Sequence, residues 1–343
     1  MAKRRIPPSV FIPVALLAAA AALWSYVWLA AASSARDAMA AWRGNMAAQG
    51  AQLACTREDT GGYPFRLEFD CIDALVTVTA PGASYRLSAA RLALVAQAYD
   101  RGHIIAELEA PVRLERTGDS AARLAEIEAG MVRSSFELSA GRMARASVVL
   151  PAWRAMPGRD AASGAAFMSG GGEVHLRRRS GDDAVDIALS AERVTFAGPV
   201  AGKPVELRSV DLVATVNRPQ PISLETASTW LARWYEAGGV ADIRRLSFDS
   251  EIVSGEGAGS VNLTAAGALE GALNLRLARL DRLVAALETG GVIRAGEARL
   301  LTGAVDIFAQ TQGGRKSVTL PLRIREGEVW LGPVKIAALP TVM

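Results

Sequence analysis

Gly61-Gly62-Tyr63-Pro64-Phe65-Arg66-Leu67-Glu68-Phe69 is the stretch on which the fold turns. Phe65, Leu67 and Phe69 alternate with Arg66 and Glu68, and a period of two puts the three apolar side chains on one face of a strand. Pro64 has no N–H to give to a ladder, so it belongs at a strand start or on an edge. Leu75-Val76-Thr77-Val78-Thr79 follows and is closed by Pro81-Gly82. The same alternation returns at 205–208, 210–216, 246–248, 261–263, 273–277, 318–324 and 329–331. Gly257, Gly267, Gly271, Gly313-Gly314 and Glu326-Gly327 are the turn signals among these runs. Strands joined by tight turns read as antiparallel meanders with one apolar face. They predict one extended sheet more than a closed sandwich.

Two helical periods interrupt the strands. Within 224–237, Ala227, Trp230, Leu231, Trp234 and Tyr235 recur at helical spacing ahead of Gly238-Gly239. Within 280–287, Leu280, Leu283, Val284 and Leu287 form a stripe ahead of Gly290-Gly291. The segment 156–172 is poor in large apolar residues and predicts a loop dividing two β-rich halves. Ahead of the sheet, Met39, Trp42 and Met46 fall at i, i+3 and i+7 and predict a short amphipathic helix over 36–50, stopped by Gly50. That helix either lies on a bilayer or packs on the following sheet, and packing is the preferred reading.

Outward again, no charge interrupts 6–35, while Lys3, Arg4 and Arg5 precede the run and Arg36-Asp37 ends it. About 20 apolar residues span the hydrocarbon core of a bilayer, and 10–32 is long enough. Trp24, Tyr26 and Trp28 lie toward the far end, where amphipathic rings favour the membrane interface, and the basic cluster holds the N-terminus in the cytoplasm. A cleaved signal peptide is the rival, since Ala30-Ala31-Ala32 and Ser33-Ser34-Ala35 are small enough for a peptidase. The run, however, exceeds the ~7–15 apolar residues of a signal sequence. The expectation is an uncleaved signal anchor with four regions: a cytoplasmic basic N-terminus over 1–9, a transmembrane helix over 10–32, a juxtamembrane helix over 33–50, and a periplasmic β-rich domain over 51–343. The protein is then a single-pass protein of a bacterial inner membrane.

Composition is consistent with this. Half of the 343 residues are hydrophobic but only 6% are aromatic, so Ala, Leu, Val and Ile build the core. The net charge of +3 equals the contribution of Lys3, Arg4 and Arg5, and the balanced remainder has no electrostatic footprint for nucleic acid. Arg177-Arg178-Arg179 is followed at once by Asp182-Asp183 and reads as a solvated loop. Two cysteines occur, Cys55 and Cys71. In the cytosol they would be separate thiols; on the far side of the membrane they are expected to form a disulfide.

A search for chemistry finds little. His103, in the turn Asp100-Arg101-Gly102-His103, and His175, alternating with Val174 and Leu176, are the two histidines, and no metal-ligand spacing includes either. No GxSxG elbow is present, and Ser163-Gly164 and Ser169-Gly170 have nothing beside them to activate a hydroxyl. Gly170-Gly171-Gly172 leads into a strand and not into a helix N-terminus, so it cannot cradle phosphate in the usual way. Glu107/Glu109 and Glu326/Glu328 place two carboxylates on one strand face, a spacing a glycosidase could use. The polar face of an amphipathic strand is the preferred reading of both pairs, and no catalytic residue, cofactor or metal is expected.

Three stretches carry a resemblance. Trp42-Arg43-Gly44-Asn45 ahead of Gly50, the pair Cys55 and Cys71 enclosing Gly62-Tyr63-Pro64-Phe65-Arg66, and Gly327-Glu328-Val329-Trp330-Leu331-Gly332-Pro333-Val334 ahead of Leu339-Pro340 resemble domain-of-unknown-function family 2125. That family groups membrane-anchored bacterial envelope proteins with the AsmA-like superfamily. The resemblance implies a mainly β (α+β) fold: an N-terminal transmembrane helix, then a large curved antiparallel sheet of AsmA-like type with a few packing helices. Larger members of the superfamily are implicated in moving phospholipid between membranes. About twenty strands at ~4.8 Å each would reach only about 100 Å, which favours a local or accessory role. The family brings no catalytic residues.

The functional expectation is a non-enzymatic envelope protein that binds lipid or assists its transfer. Phe65, Leu67, Phe69, Leu75, Leu246, Phe248, Leu273, Leu275 and Leu277 are the residues expected to line an acyl-chain groove, with ordinary core as the competing reading. The alternative function is a structural adaptor with a closed core and an envelope protein as partner.

Overall fold

The computed structural model describes residues 11–339 and 341, apart from 81–82, 101, 118–121, 140–141, 158–166, 183, 198–203, 221–226, 292, 309, 313–314 and 332–333. The basic cluster Lys3, Arg4 and Arg5, the turns Pro81-Gly82 and Gly313-Gly314, the Ser163-Gly164 pair and most of the 156–172 loop lie outside the described residues.

The first element is one helix, α1 (Phe11–Ala48), of 38 residues. At 1.5 Å per residue it is about 57 Å long. Its most apolar 18-residue window has a mean hydropathy of 1.9 and is almost wholly unburied, and it is the one described helix long and apolar enough to cross a membrane. The anchor and juxtamembrane segments expected from the sequence are continuous. Ser33 and Ser34 turn their hydroxyls back onto the carbonyl of Ala30 at 2.9 and 3.0 Å, so the small polar residues do not break the helix. Gly50 ends it with φ 78°, a left-handed conformation, and a Cβ there would sit 2.8 Å from the Thr79 carbonyl oxygen.

The rest is mostly sheet, with 21 strands among the described residues joined in one antiparallel meander. β1 (Ala51–Ala54) and β2 (Arg57–Gly61) lie along the outer edge of β3 (Arg66–Ala80), which pairs with β4 (Ala83–Gln97). Then come four pairs of short strands laid end to end: β5 (His103–Glu109) with β6 (Val112–Thr117), and β7 (Ala122–Ala129) with β8 (Val132–Ser139). β9 (Arg142–Leu150) with β10 (Trp153–Pro157), and β11 (Phe167–Ser169) with β12 (Gly171–Arg178), complete the set. β13 (Val185–Ala197) and β14 (Pro204–Val216) are long again, and helix α2 (Ala227–Glu236) follows. β15 (Ala241–Ser250), β16 (Ser254–Leu263) and β17 (Leu269–Ala278) lead to helices α3 (Leu280–Thr289) and α4 (Ala295–Phe308). β18 (Gln310–Gln312), β19 (Arg315–Arg325), β20 (Glu328–Leu331) and β21 (Val334–Ala338) close the chain. On either side of 156–172, β9 pairs with β12 and β10 with β11, so the sheet is hydrogen-bonded across that segment.

The breaks between the end-to-end strands fall on one transverse line. Asp73 of β3 (φ 51°), Ala110-Pro111, Gly130-Met131, Pro151-Ala152, Gly170 and Arg193 of β13 (φ 46°) follow one another in register, and the β14–β15 ladder shifts between Leu207 and Ser209. Pro111 and Pro151 withhold a donor there, and the left-handed Asp73 and Arg193 interrupt their ladders. Together these breaks in the ladder form one transverse crease from β3 to β14.

Register also defines the faces, because residues opposite one another in an antiparallel pair project to the same side. One cross-strand row reads Phe69, Leu94, Ala106, Ser134, Val148, Val174, Leu189, Leu212, Leu246, Gly257, Leu275 and Leu320. The adjacent row, one residue along, reads Asp70, Ala93, Glu107, Arg133, Val149, Glu173, Ser190, Asp211, Ser247, Glu256, Arg276 and Thr319. Over twelve strands one face is apolar and the other is charged.

Among the described residues the apolar face carries its buried clusters toward its two ends. Near the C-terminus, Leu273, Leu275, Leu277, Leu280, Val318 and Ile324 form a buried core against which Leu283 of α3 and Val305 of α4 pack. Gly255 and Gly257 leave room there: a Cβ on either would lie 2.5 Å from Phe248 or 2.6 Å from the Leu275 side chain. Near the N-terminus a smaller cluster of Phe69, Cys71 and Ala74 takes Met39, Leu53, Leu92 and Leu94 against it. Between them Ala106, Val148, Val174, Leu189 and Leu212 are half-buried, and none belongs to a buried cluster.

Three local outcomes differ from the sequence expectation. Helix α4 was not anticipated: Gly296 and Gly303 each cost roughly 1 kcal/mol of helix propensity and blur the period. The Glu297 carboxylate nonetheless accepts the Arg294 N–H at 2.8 Å, half of a capping box at the helix start. Trp42 borders the same space as Met39 but is 45% exposed where Met46 is buried, and Arg43 beside it is half-buried. His103 begins strand β5 instead of lying in the turn.

Candidate apolar site beside the anchor helix

The site begins with how the first fifty residues are held. After Gly50 the chain reverses into β1 and β2, which run back along β3 beneath α1. Cys55 and Cys71 form a disulfide with 5.3 Å between Cα atoms, as the sequence predicts outside the cytosol. Closing a loop of 16 residues restricts the unfolded chain and contributes roughly 3 kcal/mol. The bond fixes the β1–β2 corner, and Ala51 and Cys71 are fully buried beside it.

At the other end of β2 the Tyr63-Pro64-Phe65 turn receives α1. Trp24 donates its indole N–H to the Pro64 carbonyl at 2.8 Å, and Trp28 donates to the Arg66 carbonyl at 2.8 Å. Ser25 and the Tyr63 hydroxyl are 2.8 Å apart. The Trp24 ring lies 5.8 Å from Phe65 and the Trp28 ring meets Tyr63 edge-on at 5.3 Å. Two tryptophans expected only to float at a membrane interface therefore also lock the helix to the sheet. Around this joint Tyr63, Phe65 and Tyr99 are 58%, 60% and 68% exposed, an aromatic collar at the level where the apolar helix leaves the sheet.

Between the joint and the disulfide, α1 stands off from the apolar face and encloses a cavity of about 1,280 Å³. Trp28, Ala32, Ala35 and Met39 line it from the helix; Leu67, Phe69, Leu94, Ala96 and Ile104 line it from the sheet. Arg43 closes one side, 2.6 Å from Glu58 and with its guanidinium 5.6 Å from the centre of the Phe69 ring. The small side chains of α1 cannot fill the space over the strands.

The nine residues expected to line a groove are thus divided. Leu67 and Phe69 line the cavity, and Phe65 sits on the exposed collar. Leu75 is half-buried on β3, beyond the crease at Asp73. Leu246 and Phe248 are packed partners of the C-terminal core, and Leu273, Leu275 and Leu277 are 4–5% exposed within it. All but Phe65 and Leu75 lie on rows of the same apolar face, yet only the first two open onto a cavity. Leu94, Ala96 and Ile104 were missed, because the run Leu92-Ala93-Leu94-Val95-Ala96 is apolar on both faces and hides its period.

The charged face shows what became of the carboxylates. Glu107 is 3.3 Å from Arg133, and Glu109 is 3.3 Å from Arg91, which also grips Asp70 at 2.6 Å. Glu328 pairs with Lys335 at 2.5 Å, and Glu326 occupies a left-handed turn position. His103 meets the Ser135 hydroxyl at 2.8 Å, and His175 bridges Ser147 and Glu173. Apart from His175–Glu173 within β12, these pairs run between neighbouring strands. The hydrogen bond from Arg91 holds the Asp70 carboxyl below the ordinary carboxylate range, and Arg177 and Arg279 do the same for Asp186 and Asp249. Among the described residues no three His, Cys, Asp or Glu side chains are grouped to hold a metal.

A long apolar helix of the kind that anchors proteins in membranes, continuous with a cover over one large two-faced antiparallel meander, defines the class: a mostly β protein built around an N-terminal apolar helix. Over residues 28–340 the chain matches the family described as uncharacterized protein conserved in bacteria (DUF2125), and it belongs to that family. No curated protein and no solved structure matches it.

Proposed function

We propose that this chain is a single-pass inner-membrane protein whose periplasmic sheet binds acyl chains of envelope lipid and assists their transfer. The observation that carries the reading is the apolar row from Phe69 to Leu320, polar at Ser134 alone and left half-exposed from Ala106 to Leu212. An apolar surface of that extent in water needs a partner. The charged row on the reverse face gives the sheet a soluble side, so a single lipid-facing side follows from register alone. The crease is the device by which such a sheet becomes a trough of the AsmA-like kind.

Orientation has its own support. Lys3, Arg4 and Arg5 favour a cytoplasmic N-terminus, and the Cys55–Cys71 bond belongs to an oxidising compartment. The scale of the sheet favours local handling of lipid over bridging by one copy. Because eight of the described strands lie end to end in pairs and β1, β2, β18, β20 and β21 lie outside it, the apolar row crosses twelve strands, about 55 Å at ~4.8 Å spacing.

Mass spectrometry of lipid retained by the detergent-extracted protein tests the reading. Phospholipid enriched over an unrelated single-helix protein purified in parallel is the expected result, and equal amounts would overturn it.

A further inference from the structure

We propose that the cavity beside α1 is the port through which a phospholipid of the surrounding leaflet passes an acyl chain onto the apolar face. This rests on the lipid reading above and adds a route to it.

Continuity is the first argument. Trp28 belongs to the apolar part of α1, is locked to the Arg66 carbonyl and lines the cavity. Through Trp28 the cavity reaches the joint beside which Tyr63, Phe65 and Tyr99 are exposed, residues of the type that settle at a bilayer interface. A chain leaving the bilayer at that level meets Leu67 and Phe69 first, and Phe69 begins the row that runs through Leu94 and Ala106 to Leu189. At the other end α3 and α4 cover the face with packed core, and the pocket beside them there is about 280 Å³ among the described residues.

Shape and charge select the occupant. At about 1,280 Å³ the space exceeds the ~300–1,000 Å³ of most small-molecule sites. Its walls are mainly apolar, which suits a flexible hydrocarbon chain, with Glu58, Thr60 and Glu68 among the polar residues on the sheet side. Two guanidinium groups stand on its helix side, Arg36 and Arg43. Arg43 is held by Glu58. Arg36 is exposed, eight residues beyond Trp28, and makes no ion pair among the described residues, its Nε donating only to the Ala32 carbonyl. A guanidinium in that place fits a lipid phosphate. The occupant is accordingly a phospholipid with its phosphate at Arg36 and one chain beneath α1.

The full chain is reconstituted in vesicles of phosphatidylethanolamine and phosphatidylglycerol with labelled acyl chains, carrying a photoreactive phenylalanine derivative in place of Leu67 or of Leu189. Ala35→Trp fills the cavity from the helix side, with Ala35→Leu as a milder version. Formation of the Cys55–Cys71 bond and cooperative unfolding certify that each variant is folded. Labelled adducts at both positions in the parent chain, falling severalfold at both in Ala35→Trp and less in Ala35→Leu, are expected. Adducts at Leu189 that persist undiminished when the cavity is filled overturn the port while leaving lipid binding intact. A parent chain without adducts at either position overturns the lipid reading, and the port with it.

Discussion

The two covered ends of the apolar face have the same floor and different lids. At the C-terminal end the lid contributes Leu280, Leu283 and Val305, and beneath it Leu273, Leu275 and Leu277 are buried. At the N-terminal end the lid contributes Ala32, Ala35 and Met39, and beneath it Leu67 and Leu94 border a cavity. The strands do not decide which end is solid. The size of the side chains on the covering helix does, since dispersion contacts vanish where no atoms face the wall. An alanine-faced helix pinned at both ends by a disulfide corner and an aromatic joint cannot collapse onto the sheet to close the gap.

Truncating the floor at each end sharpens this contrast most. Leu275→Ala opens a hole in packed core and is expected to cost about 2–5 kcal/mol, whereas Leu67→Ala removes a side chain already bordering open space and is expected to cost well under half as much. Denaturant unfolding of the two variants measures both; equal losses would mean that the N-terminal end is as solid as the C-terminal one. Reducing the disulfide comes next. It is expected to lower stability by about 3 kcal/mol and to raise amide exchange in β1, β2 and β3 while leaving β16 and β17 unchanged, read by hydrogen exchange of the oxidised and reduced chains. Exchange that rises equally in β17 would show that the two ends unfold together.

Acid gives the smallest and most evenly shared effect. Asp70 at one end and Asp249 at the other both have carboxyls lowered below the ordinary value of 3.8 by arginine hydrogen bonds. A lowered folded-state pKa stabilises above the unfolded value and is lost as pH falls through it. The contribution is therefore full at neutral pH and declines below about pH 4. Partly exposed pairs of this kind contribute about 0–1 kcal/mol each. Asp70→Asn and Asp249→Asn should each flatten the acid limb of a stability–pH curve by similar small amounts; an acid limb unchanged in both variants would exclude these pairs as its cause.

Much of the fold was legible because period-two alternation survives wherever the reverse face is charged, as at Leu67-Glu68-Phe69 and Leu273-Asn274-Leu275. It failed across β4, where Ala93 and Val95 make the charged face locally apolar, and at α4, where two glycines dilute the helical stripe. The 156–172 segment read as a divider because its described parts are short strands interrupted at Gly170, while the pairing that joins them to β7 and β13 is long-range. The cavity was the least legible feature. It depends on α1 returning over β3, fixed by indole hydrogen bonds from Trp24 and Trp28 to carbonyls about forty residues away. No local pattern in either segment encodes that meeting.

Helix α1 has no joint between its greasy outer stretch and the stretch that roofs the cavity. A rod of this sort, tied to the sheet through Trp24 and Trp28, moves with it as one body: under the membrane reading proposed above, whatever inclination lipid imposes on residues 11–23 is delivered unbent to the whole sheet. Bilayer thickness then sets how the floor of Leu67 and Phe69 leans toward the membrane surface, while its clearance under the helix stays fixed.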